Sequence, residues 1–425
     1  MTNEKGRVKM KKRWVCFLLC CSCLLSLCSG CAHTHAKREL DSLAIVMGIA
    51  IDKADEKKEL GAETAGGKDE KILLTTQVVR NIALSPNSSE SESSGSGDEG
   101  DLGRPYWNVQ VVGSNLLETL RSAIHITNRR LYVAQNQVLI ISKEIAGQGI
   151  AKYLDYFFRD HETRYDVSLI ISDGKAGDIL NVASHLESLP AQDLSKLIER
   201  QVDDAHAPQC TMFSFVKDYK IPYKSMLVPI VRIVQPEDSE EQSPFLYVAG
   251  SAVFKDDKMV AQLDENQTRG ALWILGQVQN GVIALDYEGE NVAIEILDGS
   301  GDFRAKYTDG KIKVKASVKM TGVLGELQGS RTVDPSVMDG LKKACANAIG
   351  DKIRSAFREI QKNKADVLGI AESFYRYHYN TWKTIADEFD TLYENADFEV
   401  EVETELIRTG SLLKPADENG GETYD

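Results

Sequence analysis

The sequence predicts an α+β protein, a three-domain mixed α/β body whose C-terminal domain is an antiparallel sheet packed against a long helix. Three observations carry that expectation. Strand-like and helix-like runs alternate from residue 43 to about 184. Between residues 246 and 324, strand-like runs dominate and only one short helical pattern interrupts them. An apolar stripe of helical period then occupies residues 335–362, and a strictly alternating run closes the unit at 397–407.

In chain order, residues 1–13 hold six bases (Lys5, Arg7, Lys9, Lys11, Lys12, Arg13) and one acid, Glu4. Residues 14–27 are uncharged, and Ser29 and Gly30 precede Cys31. A basic start, a short apolar stretch and small residues before a cut form a secretory signal, here residues 1–30. The uncharged stretch is shorter than the roughly 20 residues of an ordinary spanning helix. A cysteine after the small pair is the pattern for diacylglyceryl transfer to a thiol. Cys31 is therefore the expected lipidation site, and residues 31–37 the lipidated tether. Cys28 stands where such signals usually carry an aliphatic residue. The competing readings are an uncleaved anchor or an ordinary cut after Gly30 or Ala32.

Charge then excludes some functions. The formal net charge is −14, and the signal contributes +5, which leaves −19 for the remainder. Such a body is repelled by anionic lipid and nucleic acid, so an anchor must do the holding. Five of the eight cysteines lie in the signal; Cys31, Cys210 and Cys345 remain. Three thiols make neither a disulfide framework nor a zinc pattern. Cys345 occupies an apolar helical position and reads as a core thiol.

Residues 38–190 read as an N-terminal α/β domain. The run 43–51 (LAIVMGIAI) is a buried strand, and 71–80 (KILLTTQVVR) a second that forms a hairpin with it. Residues 85–105 hold seven serines, four glycines and five acids, with one aliphatic residue, Leu102. That composition cannot offset ordering entropy, so the segment is an expected disordered insertion. Strands are expected at 106–112, within 131–142 and at 165–172, with helices at 115–126, 147–159 and 176–184. Residues 191–245 form an expected small middle domain, ending in the acidic linker 235–244.

The C-terminal domain spans 246–412, followed by an acidic tail, 413–425. Strands are expected at 246–254, 259–263, 281–287, 292–298, 303–307 and 311–324, with a helix at 268–278. In 311–321, Ile312, Val314, Ala316, Val318 and Met320 alternate with lysines at 311, 313, 315 and 319. Asp334 is the expected N-cap of the long helix and Pro335 its first residue. A stripe through Met338, Leu341, Cys345, Ile349, Ile353, Phe357 and Ile360 makes it about 42 Å long. A second helical region, 366–394, is rich in tyrosine. In 397–407, acids alternate with Phe398, Val400, Val402 and Leu406. A lysine row and an acid row attract side by side, so 311–321 and 397–407 are expected neighbours. Two intervening helical segments argue for antiparallel pairing.

Chemistry is sparse in the sequence. No G-x-S-x-G, P-loop, G-x-G-x-x-G or H-E-x-x-H occurs. His33 and His35 are metal-ligand types on a tether that offers no preorganised site. Asp160, His161 and Glu162 resemble an acid–base cluster but fit the solvated end of a helix better. Arg269, Trp273, Tyr375, Tyr377, Tyr379 and Tyr393 are candidates for a binding surface, although aromatics at helical spacing more often build core. No catalytic residue, metal or cofactor is assigned, and the chain is not expected to be an enzyme.

Several stretches together carry a resemblance: the lipidation signal, GIAIDK (48–53), RDHETRYDVSLIISDGKAGDIL (159–180), GSAVFKDDKMV (250–260), TRGALWILGQV (268–278) and VETELIRTG (402–410). In these the chain resembles the Ger(x)C-type spore germination lipoproteins, the C subunits of nutrient germinant receptors. The resemblance covers most of the mature chain. Near the tether it thins to Arg38-Glu39-Leu40. It implies a non-catalytic, lipid-anchored body on the outer surface of the spore inner membrane. It implies integral-membrane A and B subunits as partners, which together trigger germination. Only Cys31 carries over as a functional residue. The alternative is a solute-binding lipoprotein that captures a small nutrient for a transporter, which needs a deep cleft between similar lobes.

Overall fold

Uninterrupted apolar runs become the central strands. The computed structural model describes residues 42–55, 71–80, 103–236, 243–328 and 333–407. The chain runs through β1 (Leu43–Lys53), β2 (Ile72–Val79), β3 (Tyr106–Gly113), α1 (Leu116–Ser122), β4 (Arg130–Tyr132), β5 (Val138–Ser142), α2 (Lys143–Gln148) and α3 (Ala151–Arg159). It continues through β6 (Ser168–Ser172), α4 (Ala176–Ile179), α5 (Pro190–Glu199), α6 (Met212–Tyr219), β7 (Met226–Val234), β8 (Phe245–Lys255), β9 (Lys258–Leu263) and α7 (Glu265–Ile274). Last come β10 (Gly281–Tyr287), β11 (Glu290–Thr308), β12 (Lys311–Gln328), α8 (Pro335–Lys362), α9 (Ile370–Tyr377), α10 (Tyr379–Ile385), α11 (Phe389–Glu394) and β13 (Asp397–Leu406).

Among the described residues, nine strands form one mixed sheet, ordered β3-β2-β1-β5-β6-β7-β8-β9, with β4 beside β1. Strands β1, β5, β6 and β7 pair in parallel; the flanking pairs are antiparallel. The β5 run VLIIS is buried throughout. Leu139 and Ile141 face a core containing Phe157, Phe215 and Phe254. Val138 and Ile140 face a second core with Leu180, Leu194 and Ile198. A parallel strand covered on both faces needs apolar residues at every position, and each such side chain contributes about 2 kcal/mol.

The β1–β2 hairpin forms as the sequence predicts. Strands β2 and β3 also pair, closed by the Arg80 N–H to Pro105 carbonyl bond (2.8 Å). Most of the serine-rich stretch between them lies outside the described residues. The expected helix over 176–184 shortens to α4. Its next carbonyl, on Leu180, instead accepts from Gln77 Nε2 (3.0 Å) and Asn108 Nδ2 (2.7 Å). Buried Asp52, at the end of β1, caps α4 by accepting from Ala176 N (2.7 Å) and Gly177 N (2.8 Å). Segment 191–245 supplies α5, α6 and β7, and β7 continues the first sheet through β8 and β9.

A second sheet has the order β10-β11-β12-β13. Helix α8 starts where expected, with Asp334 Oδ1 accepting from Ser336 N (2.7 Å) and Val337 N (2.9 Å). Its stripe Leu341, Cys345, Ile349, Ile353 and Phe357 packs on Ile312, Val314, Ala316, Val318 and Met320. The fold class is therefore the predicted one, mixed α/β with a long helix against the C-terminal sheet. Strands β12 and β13 are neighbours, as the charge rows suggest, but they pair in parallel. Helix α8 makes one full return along the sheet. The pieces α9, α10 and α11 make none: Gln361 Nε2, at the end of α8, donates to the carbonyls of Tyr393 (3.1 Å) and Ala396 (2.8 Å). One reversal gives a strand–helix–strand crossover, and the partner strand must then run parallel.

The expected strands 292–298 and 303–307 are one strand, β11, bulged between Ile296 and Asp298. Its glycines mark a close approach rather than a break. A Cβ on Gly299 would lie 2.7 Å from the Trp273 ring, and one on Gly301 would lie 1.8 Å from the Trp273 carbonyl.

Candidate functional site: a polar cleft beside two packed helices

The described residues disperse most of the sequence candidates. Cys31, His33 and His35 lie outside them. At the end of α3, burial raises the Asp160 carboxyl, but the Glu162 N–H and the Tyr156 hydroxyl (2.7 Å) outweigh it and hold its pKa low. Glu162 pairs with Arg130 (3.0 Å), and the His161 side chain is 90% exposed. Only His161 is solvated as the sequence setting suggests; the Asp160 and Glu162 side chains are 16% and 15% exposed and are taken up by these bonds. Trp273 and Tyr393 are core, whereas Tyr375, Tyr377 and Tyr379 are exposed. Cys210 and Cys345 are separate buried thiols, each pushed by burial to about 12. They are inert rather than nucleophilic.

Arg269 is the exception. It lies on α7, which begins three residues before the 268 expected from the sequence because a capping box fixes its start. Asp264 accepts from Gln267 N (2.7 Å), and Gln267 Oε1 accepts from Asp264 N (3.1 Å). Helix α7 rests directly on α8, since a Cβ on Gly270 would lie 2.2 Å from the Lys352 carbonyl. Arg269 and Lys352 line a cleft of about 750 Å³ together with Asp203, Asp204, His206, Gly281 and Glu295.

Arg269 is 2% exposed. Its Nη1 donates to the Val282 carbonyl at 2.7 Å. Burial weakens the proton affinity of its guanidinium, with Asp204 acting in the other direction. Lys352 is half-buried, and burial followed by the Arg269 charge lowers its pKa as well. Asp204 Oδ2 sits 2.7 Å from His206 Nδ1. Between them Ala205 adopts a left-handed φ of 57°, a backbone state costly to a non-glycine residue. The sequence signal for the site is slight: one arginine in the otherwise apolar run RGALWIL, while its partners lie far away in the chain. Three or more potential metal-ligating side chains do not cluster anywhere among the described residues. No helix among them is long and apolar enough to cross a membrane.

Comparison with known proteins gives a consistent result. Residues 36–233 match the family described as the spore germination protein N-terminal domain. Residues 249–410 match the spore germination B3/GerAC-like C-terminal family. Spore germination protein KC of Bacillus subtilis is 24% identical over 89% of this chain and 92% of its own length. Spore germination protein YndF of the same organism is 26% identical over 92% of this chain and 96% of its own. The crystal structure of the GerBC protein shares the fold, with a TM-score of 0.52 and 17% identity over 85% of this chain and 97% of that one. With both family halves in order and a shared architecture, the chain belongs to the Ger(x)C family of spore germination proteins.

Proposed function

We propose that this chain is a non-catalytic, lipid-anchored subunit of a spore nutrient germinant receptor. It acts with integral-membrane A and B subunits on the outer surface of the spore inner membrane. The observation that carries the reading is the match of both family domains, in order, over most of the chain. The acidic charge of the body supports an anchor at Cys31 rather than adhesion to lipid by charge. One acyl chain holds a protein only marginally, so two or more make the attachment stable.

The mechanism is coupling. Nutrient binding at a membrane partner shifts a conformational equilibrium, and this body stabilises one of its states. The side chains most like an acid–base pair, Asp160 and Glu162, are already engaged with Tyr156 and Arg130. The two sheets differ in size and strand order, unlike the paired similar lobes of a capture protein.

Cys31→Ala is the test. The variant should leave the membrane fraction of disrupted spores and slow nutrient-triggered germination. Wild-type membranes should yield the A and B subunits when this chain is affinity-purified. Normal germination of Cys31→Ala spores, or purification without those partners, rejects the reading.

A further inference from the structure

Arg269 carries a charge that proteins do not titrate away. Its Nη1 is anchored on Val282, but Nε and Nη2 are buried with no partner among the described residues. Those two groups share one edge of the guanidinium and form its two-pronged fork. Burying an unpaired charged donor is costly, and native structures seldom do so without a reason.

The surrounding side chains leave the fork unpaired. Asp204 directs Oδ2 to His206, and its Oδ1 faces Arg269 across the space above Gly281. A Cβ at Gly281 would sit 2.7 Å from that oxygen and 2.8 Å from Arg269 Nη2, so glycine keeps the gap clear. Asp203 pairs with Arg200 (3.4 Å), and Glu295 is exposed. Lys352 adds a second cation to the lining. The lining thus holds two cations, Arg269 and Lys352, beside the carboxylates of Asp203, Asp204 and Glu295, and only the Arg269 fork among them is buried without a partner.

We propose that this cleft binds a small molecule through a carboxylate or phosphate-type oxyanion, with two oxygens seated on Nε and Nη2 of Arg269 and Lys352 balancing the remaining charge. The planar fork of arginine matches two such oxygens at once. A volume of about 750 Å³ is that of a small-molecule site. Asn266 and Asn280 line the cleft and supply polar contacts for the rest of the ligand. The inference does not depend on the receptor reading, because it is tested on the isolated protein.

The experiment titrates purified full-length protein with inorganic phosphate and, separately, with acetate. Calorimetry reads binding, and chloride at matched ionic strength is the baseline. Wild type should show one saturable site for at least one probe. Arg269→Lys keeps the charge and loses the fork, so binding should weaken about ten- to hundredfold. Lys352→Met, on the half-buried partner, should weaken it less and serves as the deciding variant if Arg269→Lys does not fold. Saturation by phosphate alone points to phosphoryl compounds, and by acetate alone to carboxylic acids. A wild type that saturates with neither probe, or folded variants that bind as wild type does, overturns the proposal.

Discussion

Asp366 shows how one carboxylate can organise a helix start. It is 1% exposed and accepts from Gly369 N (3.0 Å), Ile370 N (2.8 Å) and Ala371 N (2.7 Å) at the head of α9. Burial nevertheless pushes its carboxyl up from 3.8 to about 6, despite those donors. The folded state thus holds the proton more tightly than the unfolded chain. Its contribution is fully present below about pH 4 and is lost as the pH rises through about 6, roughly 3 kcal/mol in all. Asp366→Asn removes that dependence. Urea midpoints of the two proteins should diverge between pH 4 and 7, with wild type losing ground; parallel profiles would count against the assignment. The sequence around Asp366 does not announce a buried charge, and around Arg269 only the apolar run RGALWIL hints at one. Both are buried by segments distant in the chain, whereas the Asp334–Pro335 helix start is written in adjacent residues and is legible there.

Among the elements, the β12–β13 pair was readable in partners and not in direction. Lys315 lies 3.8 Å from Glu399 and 2.9 Å from Glu401, Lys319 lies 2.7 Å from Glu403, and Lys311 lies 3.6 Å from Asp397. Complementary charge identifies neighbours in either orientation. Direction depends on how often the intervening chain crosses the sheet, which is decided by packing at the end of α8. Lys315→Glu should lower the thermal midpoint, and the loss should shrink between about 20 mM and 1 M salt, where screening shortens to about 3 Å. A salt-independent loss would mean that the lysine acts by packing. Gly299 and Gly301 mislead for a related reason. Glycine marks both chain breaks and close approaches, and only the presence of Trp273 above the strand distinguishes them.

At the scale of the molecule, the two sheets share a core. Leu227, Val253 and Leu263 of the first sheet belong to the same cluster as Trp273, Ile294 and Phe357. Ser225 N donates to the Asp366 carbonyl (3.0 Å), and Lys255 pairs with Asp390 (2.5 Å). The unit Ala44–Asp425 should therefore unfold in one calorimetric transition. Two separated transitions would show that the halves are independent. This continuity lies beyond periodicity, because β7, β8 and β9 carry the same apolar pattern whichever sheet they join.

Strand β13 has no neighbour on its outer side among the described residues. Such a rim usually invites a second copy to add its own strand. Here Asp397, Glu399, Glu401, Glu403 and Glu405 line one face of that rim. A like strand arriving alongside would set carboxylates against carboxylates. Many copies held at high local density can thus stay separate instead of zippering together.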